Sequence, residues 1–567
     1  MIETAKSETT LKQPSASCDT SPPFAPLIFA LLLLAFAIHV YWLRCVAEDS
    51  YITYRFARNV AEGHGFVWNV GEAPVEGFTN FLWVVLCAGA YNLGLDLPRF
   101  TQWIGLFSGL LTLIYAYRFA RGILRLTEGL ALFTVALLAV AGPLACWAGS
   151  GMETVFFAMW IMIAVFHASR FASSRARRDV LISAASLFVA TLTRPEGFGV
   201  FGIVAGTGLI TWLVTDRSTA RRGLWLLVGM YLPLFAAYFA WRFYTFGYLL
   251  PNTFYAKTGG GFYQYRRGLL YVGFFALHFL GPCVIWLVLA AWRYAGSNPR
   301  WSGRGFRERF LDSWRMHPGA WMSGAVVVSY VAYIILVGGD YMAMYRFFVP
   351  VLPLIYALVG VAIRQSLGDE PITTPRRLLI GALATMSLGG IFLQSTRYEE
   401  KIFARPDLTH GTYRGVQYER WAVNGFHLFA RFFDTHKTSE NDSLLTWDIG
   451  VTGYMLRMKI YDAHGVVDPR IAHGGSGGDL LGTGTAGHEK EDLAYSFSRK
   501  PTFVMYAVRL RREPAPFLEV PREIDAQVKA EYKLESVWIE NPTNGDKGYF
   551  TYLKRRSQPE SGPVSNY

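Results

Sequence analysis

Cysteine is scarce in this chain and stops early. The five thiols are Cys18, Cys45, Cys87, Cys146 and Cys283; none lies beyond residue 283 of 567, and no CxxC pair occurs. That excludes a disulfide framework for the C-terminal half, and nothing has the ligand spacing of a zinc site. Charge is thin too, at 17% of residues, and is gathered in short segments between apolar runs. An ordinary soluble domain carries roughly 25%. With 52% hydrophobic residues, the chain has too little polar surface to be a soluble globule throughout. Acid is the third shortage: 42 Asp and Glu stand against 54 Lys and Arg, a net charge of +12. A basic excess points to nucleic acid when it forms one binding face. Here the arginines sit between apolar runs, which the positive-inside rule explains, and nucleic acid is not an expected partner.

What is present is a series of apolar runs near the ~20 residues that cross a bilayer. They lie near 26–43, 101–117, 130–147, 154–168, 180–193, 198–214, 224–245, 269–291, 320–337, 347–363 and 378–395, giving about eleven spans. The first has lysines before it, as a signal peptide would. No small-x-small cleavage site follows; Arg44, Cys45 and Glu48 do, so it reads as an uncleaved helix. A twelfth run, 78–95, is interrupted by Asn80, Trp83 and Asn92. Loop charge decides its status. The basic connections are 118–125, 169–178, 216–222, 292–317 and 364–377. The others carry EDSYITYRFARN (48–59), GSGMET (149–154), TRPEG (193–197), PNTFYAK (251–257) and GGDYMAMYRF (338–347). If 78–95 stays at the interface, every basic loop falls on one side and every motif loop on the other. The N-terminus is then cytoplasmic and everything after about residue 396 is periplasmic or extracellular.

Three regions follow. Residues 1–25, polar and rich in Ser and Thr, are expected to be a disordered cytoplasmic tail. Residues 26–395 form a mostly α, polytopic transmembrane bundle of the plasma membrane. Residues 396–567 have no spanning run; a helix-like stretch near 413–435 and short apolar segments (LLTW, MKIYDAHGVVD, TFVMYAV, YKLESVWIE, GYFTYLK) predict a soluble α/β domain.

The ionisable residues of the motif loops are the candidates for chemistry. Glu48 and Asp49 are adjacent acids after the first span, and neighbouring carboxylates push their pKa values apart, which suits a general base. Tyr54, Arg55, Arg58 and His64 follow in a helical stretch along the membrane surface. The other loops bring Glu153, Arg194, Asn252, Tyr255, Lys257, Asp340 and Arg346 to helix ends, the depth at which ionisable groups near a membrane are functional candidates. One at a time, each is explained as well by snorkelling or ion pairing; their convergence on one side carries more weight. In the tail, Asp448, Asp462, His464, Asp468 and His473 match no metal-ligand spacing and read better as turn formers.

An acidic pair after the first span, in a long external loop with amphipathic helices, resembles the GT-C superfamily of membrane glycosyltransferases. EDSYITYRFARNVAEGHGFVWNVGEAPVEGFTNFLW, PNTFYAK, GGDYMAMYRF and DIGVTGYM…DAHGVVDP are similar, within it, to the mycobacterial terminal β-(1→2)-arabinofuranosyltransferase group, over about residues 27–510. The resemblance implies a polyprenyl-phosphate sugar donor, decaprenyl-phosphoryl arabinose, and an envelope glycan or glycoprotein acceptor on the periplasmic side. It puts the catalytic pair on Glu48 and Asp49, with Asp49 favoured; family members often have two aspartates there, and Glu48 departs from that. Arg58, Arg194, Lys257 and Arg346 are the cations available to the lipid phosphate, and Tyr54, Arg55, His64, Glu153, Asn252, Tyr255 and Asp340 the remaining lining. A monophosphate donor calls for no metal or cofactor. Three alternatives stand beside this one: a transferase of the same fold using mannose, aminoarabinose or another pentose, a transporter or flippase, and an external domain that only binds, on an inactive scaffold. The transporter is disfavoured by ionisable groups at helix ends rather than mid-helix and by the lack of an internal repeat.

Overall fold

The computed structural model describes residues 23–257, 261–296, 306–368, 373–397, 416–439, 441–474, 488–507 and 509–556. The tail expected over 1–25 lies outside them except for its last three residues.

In chain order the membrane part comprises α1 (Ala25–Leu43), α2 (Glu48–Ala61), α3 (Phe81–Asn92), α4 (Leu97–Gly122), α5 (Glu128–Ala139), α6 (Gly142–Ala148), α7 (Thr154–Ser174), α8 (Arg177–Thr193), α9 (Glu196–Thr215) and α10 (Arg217–Phe246). It continues with α11 (Asn252–Lys257), α12 (Gly261–Phe275), α13 (Val284–Gly296), α14 (Phe306–Met316), α15 (Pro318–Val337), α16 (Leu352–Leu367) and α17 (Thr374–Arg397). Each of the eleven apolar runs is helical. Among the described residues, nine helices are long and apolar enough to cross a bilayer, and α5 with α6, bent by 59°, makes a tenth span if the two act as one. The eleventh, α8, is shorter at 17 residues. α3, which holds the ambiguous run, has 12 residues; at 1.5 Å per residue it reaches only about 18 Å, short of the ~30 Å hydrocarbon core.

The connections sort to two ends. At one, Phe29 near the start of α1 packs on Tyr117 (ring centroids 4.8 Å), Arg175 pairs with Asp216 (3.2 Å), and Arg364 donates to the Arg125 carbonyl (2.9 Å). These contacts gather basic loops. At the other, the motif loops meet the C-terminal domain, where Arg420 donates to the carbonyls of Trp42 and Arg44 at 2.6 and 2.8 Å.

That domain has α18 (Val416–His436), β1 (Ser443–Thr446), α19 (Gly450–Met455), β2 (Lys459–Asp462), α20 (Pro469–Gly474), α21 (Leu493–Ser498), β3 (Phe503–Met505), α22 (Arg522–Glu531), β4 (Tyr532–Glu540) and β5 (Lys547–Arg555). A strand forms in each of the five segments the sequence singles out. Their order is β2-β1-β3-β5-β4, with β1 parallel to β2 and β3 and the β3–β5 and β5–β4 pairs antiparallel. The domain does not float free. Phe56, Trp68 and Phe78 of the segment between α1 and α3 share one apolar cluster with Phe429, Val466 and Val467, so the site is built between two parts that bury surface together.

Candidate active site

Asp49, Glu153, Glu196 and Asp340 line one cavity of about 360 Å³, together with Arg194, Lys257 and Arg346. All five motif loops contribute. Local backbone geometry sets their positions. The Ser150 carbonyl accepts from the Ala47 N–H and the Ser50 hydroxyl (2.9 and 3.1 Å), tying the 149–154 turn to the start of α2. Gly151 turns there with φ +79°, and a Cβ on it would lie 2.6 Å from the Tyr54 hydroxyl. In the 338–347 loop, Met344 and Tyr345 hold left-handed φ of 57° and 48°, at a cost of roughly 1–3 kcal/mol each. Burial of Tyr345 against Tyr271 and Phe275, and its 2.7 Å bond with His278, offset that cost. The turn brings Arg346 back onto Asp340.

Most of the charges in the cavity are paired. Arg194 bonds Glu153 at 2.7 Å and Glu196 at 2.8 Å. Glu153 also accepts from Asn80 (2.9 Å), whose amide nitrogen reaches Thr53 as well (3.0 Å), and Glu196 accepts from Tyr333 (2.6 Å). Arg346 grips Asp340 twice, at 2.6 and 3.1 Å, the bidentate geometry a guanidinium favours. Two groups are less committed. Asp49 is the most exposed of the ion-paired cavity carboxylates at 18%, with Tyr341 3.5 Å and Arg346 3.9 Å away. Lys257 forms no ion pair among the described residues. The arrangement is one loosely held carboxylate facing a cation, Arg346 at 3.9 Å, inside a frame of paired charges. A carboxylate so placed can accept a proton, and Lys257 and Arg346 in the same lining offer positive charge to an anion.

The remaining sequence candidates fall outside this cavity. Glu48 accepts from the Gly450 and Val451 N–H groups (2.5 and 3.1 Å). Arg55 donates to Trp68, Gly453 and Asn69, and Arg58 to the Tyr454 carbonyl; Arg58, expected among the phosphate cations, does not line the cavity. Tyr54 is buried on Thr101 (2.6 Å), and His64 sits at the exposed end of α2, 3.9 Å from Glu62. Asn252 donates to the Gly465 and Val466 carbonyls, and Tyr255 packs on His473 (4.1 Å). Most of these residues dock the C-terminal domain. Asp462 and Asp468 hold turn N–H groups of His464, Val467 and Arg470. Sequence reasoning passed over Asn80, Tyr333 and Tyr341. The signal for Asn80 was its place as a polar break in FTNFLW.

Burial first, then the charges of Asp448 and Asp49, raise the Glu48 pKa well above its ordinary value. A carboxyl that holds its proton more tightly folded than unfolded loses stabilising effect as pH rises through the raised value. Glu48→Gln keeps the acceptor oxygen and cannot titrate. Its thermal midpoint is expected to gain on wild type steadily from about pH 4.5 upward; a difference that is flat or narrows with pH would show that the carboxylate is welcome there.

The C-terminal residues 412–553 match a family model described as a domain of unknown function, DUF8728. The chain is similar to the terminal β-(1→2)-arabinofuranosyltransferase of Mycobacterium tuberculosis, 28% identical over 407 residues, covering 66% of this chain and 62% of that one. The protein of the same name from Corynebacterium glutamicum is 27% identical over 373 residues, 59% and 51% of the two chains. The match thus spans less than two thirds of the length of either relative. Among solved structures, ArnT from Cupriavidus metallidurans in the apo state superposes with a TM-score of 0.51 at 14% identity, over 94% of this chain and 97% of that one. That likeness is one of fold, the GT-C architecture.

Proposed function

We propose that this chain is a membrane glycosyltransferase that moves a sugar, D-arabinofuranose, from a polyprenyl-phosphate donor to an envelope glycan or glycoprotein on the outer face of the plasma membrane. The observation that carries the reading is that Asp49 lines one cavity together with two cations, Lys257 and Arg346. In the proposed reaction the acceptor hydroxyl oxygen attacks the anomeric carbon and gives its proton to Asp49. The bond from that carbon to the phosphate oxygen breaks, and the polyprenyl phosphate leaves with the electron pair, its charge met by Lys257 and Arg346. No metal enters this scheme. Leu250 and Phe254, both at the cavity and 40% and 43% exposed, give the lipid chain an apolar exit. The similarity to arabinofuranosyltransferases supports the choice of sugar. The test is transfer by the purified protein from decaprenyl-phosphoryl arabinose to an arabino-oligosaccharide, with the product read by mass spectrometry. Faster transfer from mannose or aminoarabinose donors would reassign the sugar.

The site requires the motif loops and the C-terminal domain to be external and the N-terminus cytoplasmic. Reporter fusions near residues 175 and 220 are expected to read cytoplasmic, and fusions near 255 and 450 periplasmic. An inverted reading at 450 removes the proposal.

Lys257 is the donor cation that mutagenesis reaches most cleanly, because its removal strands no carboxylate. Lys257→Ala is expected to raise the donor KM about tenfold, the weight of one charge-assisted bond at 1.4 kcal/mol per decade, with folding unchanged. Unaltered donor dependence would assign the phosphate to the arginines alone.

A further inference from the structure

A second cleft, of about 250 Å³, lies where the first external loop meets the C-terminal domain. Glu72 and Ala73 form one wall; Asp468, Arg470, Tyr495 and Arg499 form the other. Arg499 spans it, bonding Glu72 and Asp468 at 3.0 Å each. Arg470 lies 4.2 Å over the Tyr495 ring and forms no ion pair among the described residues. With Asp462 also in the lining, three carboxylates stand against two guanidinium groups. That balance repels phosphate and other anions, and walls so polar reject a lipid tail. A neutral ligand with many hydroxyls fits: its O–H groups donate to the carboxylates and its oxygens accept from the arginines.

The cleft adjoins the cavity described above. Val466 lines the cavity and the next residue, Val467, lines the cleft. Gly77 closes the partition, since a Cβ on it would lie 2.4 Å from the Val467 side chain. A sugar unit held in the cleft therefore sits beside the cavity rather than in it.

We infer that this cleft is an acceptor subsite, which grips a neutral glycan chain behind the unit whose hydroxyl reacts. The inference rests on the proposed transferase reading and adds a binding site to it. Two substitutions probe it without touching the cavity or an ion pair. Ala73→Trp fills the cleft from its exposed wall, and Arg470→Ala removes the guanidinium without an ion-pair partner. Initial rates of the full chain in nanodiscs are measured against a neutral arabino-oligosaccharide of several units, against a single-unit arabinoside and against the donor lipid. Binding of the oligosaccharide without donor is measured alongside by calorimetry. In both variants the acceptor KM and the dissociation constant for the oligosaccharide are expected to rise about tenfold or more, in Arg470→Ala from the loss of one bond to a charged group and in Ala73→Trp from the filled cleft. kcat, the donor KM and the rate with the single-unit arabinoside stay at wild-type values. Wild-type KM and binding in both variants, or an equal loss with the short acceptor, overturns the subsite. If wild type transfers no sugar yet binds the oligosaccharide and Ala73→Trp does not, the transferase reading falls and the glycan site stands.

Discussion

Asp49→Asn is expected to cut transfer by roughly 10²-fold or more, the usual worth of a positioned general base, while expression and donor binding stay near wild type. The asymmetry follows from what Asp49 touches. Its nearest partners are 3.5 and 3.9 Å away, so the fold asks little of its charge, and an amide of the same shape leaves no buried ion unpaired. The effect should therefore fall on kcat. The other carboxylates of the cavity behave differently. Glu153→Gln and Asp340→Asn each remove one partner from a buried arginine, so protein yield and activity fall together. A single-turnover rate in Asp49→Asn within severalfold of wild type would move proton transfer away from this residue. Glu48→Gln is the control. Its carboxylate lies on the far side of α2, on the Gly450 and Val451 N–H groups, and the substitution should spare kcat where Asp49→Asn does not.

The split between these adjacent acids shows where the sequence was legible. Spans, the sidedness of the motif loops and the strand segments follow from apolar length, loop charge and alternation, which are local properties. The convergence of Asp49, Glu153, Arg194, Lys257, Asp340 and Arg346 was readable because all sit at helix ends on one side. The errors lie within α2. Asp49, Ile52 and Thr53 line the cavity at the i, i+3, i+4 spacing of one helical face. Glu48, Arg55 and Arg58, at i, i+7 and i+10, lie on the other and dock α19 and its neighbours. Helical periodicity alone separates the two sets, but it does not say which faces a cavity and which a domain some 400 positions later. Arg58 passed for a phosphate cation because the backbone carbonyls that satisfy it carry no sequence signature. Asn80 reads in the sequence only as a break in the run 78–95, because its bonds to Glu153 and Thr53 join segments that only the tertiary fold brings together.

Arg194→Ala is expected to destabilise the protein by about 3–5 kcal/mol, the cost of breaking a buried ion pair from one side. Arg194 pairs with two carboxylates at once, Glu153 at 1% and Glu196 at 9% side-chain exposure. Its loss leaves both without the guanidinium that bonds them. Glu153 is also the acceptor that fixes Asn80, and Glu196 the acceptor of Tyr333, so the damage should reach three of the walls. These bonds give Arg194 a framing role beside the phosphate role its loop position suggests. A rescue experiment separates the two roles. Adding Glu153→Gln and Glu196→Gln to Arg194→Met removes all three charges together and leaves no buried ion stranded. If Arg194 serves only the frame, the triple variant should recover most of the thermal stability lost in Arg194→Ala and bind donor lipid close to wild-type strength. If it also grips the phosphate, stability returns and donor affinity does not. A triple variant no more stable than Arg194→Ala would mean that the bonds of these groups matter more than the balance of their charges.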